Sequence, residues 1–149
     1  MTRKPLIAVS VALAFCWMSW AKDEPKRQSD AELIQGQWRI VYFEEEGSVE
    51  PPESLKSITY VFADGKLTIR DGDKVLKTPC KFTLDSSKDP KTIDFKAEGE
   101  EDGPGIYQFD GDRLSICAPR GPGSAGRPTT FKAGEKSGLM LIRLERVKK

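Results

Sequence analysis

From Gly36 onward, apolar residues recur at every second position, and this period constrains the fold more than any other feature. Trp38, Ile40 and Tyr42 alternate with Arg39, Val41 and Phe43. The same step runs through Ile58, Tyr60 and Phe62, then Leu67 and Ile69, then Cys80, Phe82 and Leu84. It continues through Ile93 and Phe95, Tyr107 and Phe109, Leu114 and Ile116, and through Phe131 and Leu139 to Leu144. A period of two is that of a strand with one face buried; a helix repeats every 3.6 residues. Asp64-Gly65, Asp71-Gly72 and Asp110-Gly111 sit between runs. Asp-Gly in that place marks a tight hairpin, because glycine takes the positive φ that the turn requires. The chain is therefore expected to be all-β, an antiparallel meander of about eight to nine strands. Closing the meander into a barrel hides its edges most completely, and a two-sheet sandwich is the alternative.

The region before Gly36 has a different character. Arg3 and Lys4 precede an uncharged apolar run from Leu6 to Phe15, and Ser19 and Ala21 supply small residues before a cut after Ala21. Basic, apolar, small is the order of a secretory signal peptide, assigned to residues 1–21. The run falls short of the roughly 20 apolar residues of a membrane span, though an uncleaved anchor is an alternative. Leu13-Ala14-Phe15-Cys16 approaches a bacterial lipobox, with Phe15 where a small residue belongs, so lipidation at Cys16 is a second alternative. Residues 22–32 are polar and read as a flexible leader. A short helical turn capped by Asp30 is expected at residues 31–34.

Export implies a periplasmic or extracellular location. In an oxidising compartment Cys80 and Cys117 form a candidate disulfide; the alternative is two buried thiols, and strand register decides between them. Cleavage after Ala21 removes two basic residues and no acid, taking the net charge from +1 to −1. A near-neutral domain is a poor partner for nucleic acid. The membrane is reached only through the signal peptide or the lipidated form. The remaining length supports a single core and hence one domain.

Gly36-Gln37-Trp38 opens the first strand and resembles the lipocalin signature. Further matches are Asp64-Gly65-Lys66-Leu67-Thr68, Asp89-Pro90-Lys91-Thr92-Ile93-Asp94 and Gly105-Ile106-Tyr107. Others are Gly111-Asp112-Arg113-Leu114-Ser115-Ile116-Cys117, Arg127-Pro128-Thr129-Thr130-Phe131 and the last strand, residues 139–147. Together they resemble an uncharacterised lipocalin-like domain family of exported bacterial proteins of the planctomycete type. The resemblance implies a lipocalin-like β-barrel domain over residues 33–149, with Trp38 plugging one end. It also implies an arginine of the last strand packed over that tryptophan. Arg143 and Arg146 have opposite face parity, so at most one can do so. Arg143 is assigned here, with Gly36, Trp38 and Arg127, as the structural signature. Lipocalins hold small apolar molecules, and fold likeness alone carries that no further than analogy.

Searching for chemistry removes most enzyme classes. The chain contains no histidine. That excludes Ser-His-Asp and Cys-His sites and leaves two cysteines as a poor zinc site. No Gly-x-Ser-x-Gly elbow and no phosphate-binding glycine loop is present; Gly121-Pro122-Gly123-Ser124-Ala125-Gly126 is the nearest stretch. Glu98, Glu100, Glu101 and Asp102 share a glycine-rich loop, and Glu44, Glu45 and Glu46 end the first strand. They read as solvated carboxylates, not as a calcium site or as the paired acids of a hydrolase. No catalytic residue, metal ligand or cofactor is assigned, and a carboxylate-based hydrolase is the enzymatic alternative. Arg120 and Arg127 lie in the Gly/Pro-rich loop at residues 118–128, either as a mobile lip for an anionic ligand or, for Arg127, packed on aromatic rings.

The expected function is therefore non-catalytic binding of a small apolar or amphipathic ligand by inward aromatics. Trp38, Tyr60, Phe82 and Tyr107 are the candidate ligand-binding residues. The alternative is a filled barrel acting as a protein–protein interaction module, its partner another envelope protein. An eight-stranded barrel is wide enough either to fill with side chains or to hold one small ligand. An apolar cavity above about 300 Å3 distinguishes the two.

Overall fold

The computed structural model describes residues 27–77, 79–100, 103–121 and 123–148. The signal peptide, the lipobox-like segment and residues 22–26 of the leader lie outside the described residues. The described residues are all-β with two short helices. In order it forms α1 (Asp30–Leu33), β1 (Gly36–Glu45), β2 (Ser48–Val49), α2 (Pro52–Leu55), β3 (Ile58–Ala63) and β4 (Lys66–Asp71). Then come β5 (Lys74–Val75), β6 (Cys80–Asp85), β7 (Thr92–Lys96), β8 (Gly103–Asp110), β9 (Arg113–Pro119) and β10 (Leu139–Arg146).

Eight of these strands close a barrel in the order β1-β3-β4-β6-β7-β8-β9-β10, antiparallel throughout, with β10 pairing back onto β1. This is the antiparallel meander expected from the alternation, closed into a barrel of the lipocalin-like kind that the resemblance implies, and the β10–β1 pairing excludes the sandwich. Asp64 and Gly65 both take positive φ in the β3–β4 hairpin, as a two-residue turn of matching twist demands. The two extra strands are two-residue ribbons: β2 folds back on the end of β1, and β5 on the end of β4. Phe131 belongs to no strand. The segment around it lies over the outside of the barrel, where Cys117 Sγ–H donates to the Lys132 carbonyl and Gly47 N–H donates to the Ala133 carbonyl at 2.6 Å.

One irregularity reorients the first strand. Ile40 pairs with Leu144 and Tyr42 with Arg143, so Val41 is an extra residue bulged out of β1. A bulge inserts one position into a period-two pattern and exchanges the faces beyond it. Trp38 and Ile40 point inward, and after Val41 it is Phe43 that packs against the interior. Tyr42, expected inside, belongs to a separate outer cluster with Ile106, Cys117, Ala133, Leu141 and Phe131.

The lower end of the barrel is plugged. The α1 turn begins one residue earlier than expected and is capped by Ser29 rather than Asp30, in a reciprocal capping box with Glu32. Gly36 then turns the chain into β1 at φ +112°, a conformation side chains disfavour, with Arg146 Nη1 3.5 Å from where a Cβ would lie. Trp38 is fully buried, and its indole N–H donates to the Ile34 carbonyl at 2.8 Å. Arg146, not Arg143, covers it: the guanidinium carbon lies 4.2 Å from the indole ring. Arg146 also donates to the Gln35 carbonyl at 2.9 Å and to the Leu33 carbonyl. The last carbonyls of a helix have no partner within it, and here the tryptophan and the arginine supply them. Arg143 faces the other way and stacks over Tyr42 at 4.7 Å. The two arginines do lie on opposite faces, and Trp38 pairs opposite Arg146, so the later residue covers the indole.

Asp30 fastens the plug from the other side. Its carboxylate accepts from Lys91 Nζ and from the Tyr107 hydroxyl, each at 2.7 Å. Burial alone raises this carboxyl, but the Lys91 and Tyr107 hydrogen bonds and the Lys91 charge outweigh it, so the group titrates below its ordinary value. A carboxylate depressed in the fold contributes stability that is present above its unfolded pKa, about 4, and is lost as pH falls through the folded value. Asp30→Asn is expected to cost about 1–2 kcal/mol at pH 7, at the lower end because Lys91 is half in solvent. The gap between wild type and variant should shrink as pH falls below about 4. Urea titrations at pH 7 and in mild acid measure it, and a pH-independent gap contradicts the assignment.

Candidate functional site

At the other end the barrel is hollow. The pairing of β4 with β6 is limited to Lys66 with Lys81 and Leu67 with Cys80. Past Leu67, β4 leaves β6 and folds back on β5 instead, with Leu76 N–H donating to the Ile69 carbonyl. At this end the described residues enclose a cavity of about 440 Å3. Its walls are the inward residues of the upper half of the barrel, among them Leu67, Ile69, Phe95, Ile116, Met140 and Ile142. Its rim carries Lys77, Glu100 and Arg120, all exposed.

The four expected ligand contacts separate along the barrel axis. Tyr60, about midway along β3, lines the cavity. Phe82 packs edge-on to Phe62 at 5.2 Å in the filled part of the interior. Trp38 and Tyr107 each lie against Phe109, at 6.2 and 5.7 Å, beneath the cavity in the plugged end. All four face inward, but three of them are core. Alternation along a strand reports which face a residue occupies and nothing about its height. Leu67, Ile69, Phe95 and Ile116 were legible as inward positions but carried no separate signal as ligand contacts, and Met140 and Ile142 were not read as inward. The splayed β4–β6 seam carried no signal of its own in the sequence.

The cysteines do not meet. Cys80 opens β6 and lines the cavity, whereas Cys117 is buried on the outside of β9. Ile116 and Ala118 line the cavity, so the residue between them must face away. Both are free thiols, each pushed above its ordinary pKa chiefly by burial.

The loop arginines are engaged by acids, not by rings. Arg127 donates to Asp94 Oδ1 and to the Gly105 carbonyl, both at 2.7 Å, tying its loop to β7 and β8. Among the described residues it stacks on no aromatic ring, because Asp94 and a strand carbonyl lie within its reach. Arg120 pairs with Glu45 and Glu46 at 3.5 and 3.7 Å, which gives the acidic end of β1 a partner across the rim. Glu100 stands at the rim, while Glu101 and Asp102 lie outside the described residues. Among the described residues no group of acids or cysteines is arranged to hold a metal ion.

No family model, curated protein or solved structure matches this chain.

Proposed function

We propose that this chain is an exported, non-catalytic binding protein that holds one small apolar or amphipathic molecule in the upper half of its barrel. The observation that carries this reading is the cavity of about 440 Å3 with aliphatic and aromatic walls and a charged rim. Ligand pockets span roughly 300–1,000 Å3, mostly apolar with a few polar groups. The alternative of a filled barrel serving as an interaction module needs an interior with no such space. Export rests on the basic, apolar and small order of residues 1–21. Burial of apolar surface drives entry, at roughly 25 cal/mol per Å2, and the rim leaves a polar end of the ligand in water.

Phenylnaphthylamine, a neutral dye that brightens in apolar surroundings, is expected to bind the purified protein one to one. Met140→Trp and Ala118→Phe each push bulk into the cavity from a different strand. Each should weaken dye binding at least about tenfold while the protein still unfolds cooperatively, because overpacking a site that has free space costs little of the fold. Absence of dye binding by the wild type, or undiminished binding by both folded variants, contradicts the proposal.

A further inference from the structure

The cavity wall contains one feature that apolar packing does not account for. Tyr60 is only 7% exposed, yet its hydroxyl makes no hydrogen bond to any described residue. It is not a sealed defect, because no fully enclosed side-chain nitrogen or oxygen among the described residues lacks a partner. Its oxygen therefore retains open surface, and the open space it lines is the cavity. A phenylalanine would serve equally well as packing, since buried tyrosines ordinarily place the hydroxyl on a partner. Among the described residues the other polar side chain on the inner wall is the Cys80 thiol, a weak donor.

We infer that the Tyr60 hydroxyl is the internal anchor of the ligand, donating a hydrogen bond to a neutral acceptor such as the carbonyl of a ketone, aldehyde, ester or quinone on an apolar body. This deepens the proposed function and rests on it. The direction of the bond follows from the surroundings. Burial, and secondarily the neighbouring thiol, push the phenol well above its ordinary pKa, so it remains a protonated donor. The anchored group is neutral because the cations of this cavity, Lys77 and Arg120, stand at its rim, and Arg120 is already paired. A carboxylate drawn down to Tyr60 would lose its hydration with no buried charge to replace it. A pure hydrocarbon filling the cavity would shut water out and leave the hydroxyl unpaired, which is a penalty against that ligand class.

The test compares methyl heptyl ketone with nonane, which fills similar space without an acceptor. Both are measured by displacement of phenylnaphthylamine from the wild type and from Tyr60→Phe. The wild type is expected to prefer the ketone, and the ratio of the two affinities should fall at least about tenfold in the variant. A second readout is the infrared carbonyl stretch of the bound ketone. It should lie below its value in alkane solvent with the wild type and return to it with Tyr60→Phe. An affinity ratio and a carbonyl stretch unchanged by the substitution overturn the anchor and leave the cavity reading intact. Failure of dye, ketone and nonane alike to bind the wild type overturns both.

Discussion

Arg146→Met is expected to destabilise the protein by about 3 kcal/mol, and Arg143→Met by less than about 1 kcal/mol. The two arginines belong to the same strand and both stack on an aromatic ring, so a count of cation–π pairs would rank them together. Their other contacts separate them. The Arg146 guanidinium also satisfies the carbonyls of Leu33 and Gln35, where α1 ends against the barrel. Methionine preserves the bulk of the stem but leaves two half-buried acceptors without a donor, at about 1–3 kcal/mol each before water or backbone adjustment recovers part. Arg143 is exposed and lies over Tyr42 on the outer face, where a cation–π contact contributes about 0.5–1 kcal/mol. Urea unfolding followed by near-ultraviolet circular dichroism measures both. Equal effects, or a larger effect at Arg143, would mean that the plug is held by something else.

Trp38→Ala is expected to be the costlier change, about 4 kcal/mol. The indole is fully buried and in contact with Phe109, so truncation leaves a void at the plugged end that rigid strand walls cannot collapse into. It also removes the donor to the Ile34 carbonyl. Trp38→Phe should recover more than half of the loss, because it restores ring volume and lacks only the indole N–H and part of the contact area. Trp38 and Arg146 act on one structure, the end of α1. The double variant Trp38→Ala with Arg146→Met should therefore fall short of the sum of the two single losses by about 1 kcal/mol or more. Strict additivity would show that the tryptophan and the arginine stabilise the fold independently.

Much of this architecture was legible from two short-range signals. The period-two runs marked six of the eight barrel strands, β3, β4 and β6 to β9, with the correct inner face. The Asp-Gly pairs marked the β3–β4 and β8–β9 hairpins and the β4–β5 ribbon. Both are local consequences of pleat geometry and of glycine's freedom at positive φ. In β10 the run named Leu139, which lies outside, with Leu144, which lies inside. The first strand, β1, was legible only as far as Ile40. A bulge at Val41 leaves no compositional mark, because valine is as much at home in a regular strand as in an irregular one. Its effect on every later residue of the strand was consequently invisible, and Tyr42 was placed inside.

The candidate site was less legible for a related reason. Side-chain alternation fixes a residue's inward or outward direction but not its level along the barrel axis. Trp38, Phe82 and Tyr107 were correctly inward and still beneath the cavity. Height depends on the stagger between neighbouring strands, which is set by long-range pairing. Tyr60 was among the inward aromatics, but nothing local distinguishes a tyrosine whose hydroxyl finds a partner, like Tyr107 on Asp30, from one whose hydroxyl does not. The same long-range pairing decided the cysteines. Cys80 and Cys117 are both in strands, and register alone placed one within the barrel and the other outside it.

The most direct measurement is a methyl-resolved NMR titration of the labelled protein with methyl heptyl ketone. A ligand held in the upper barrel shifts the methyl groups of Ile69, Ile116, Met140 and Ile142, which form its walls, and leaves those of Ile34 and Leu144 at the plugged end unmoved. An unchanged spectrum at saturating ketone, or shifts confined to exposed residues such as Val49 and Val147, would contradict a ligand-binding barrel.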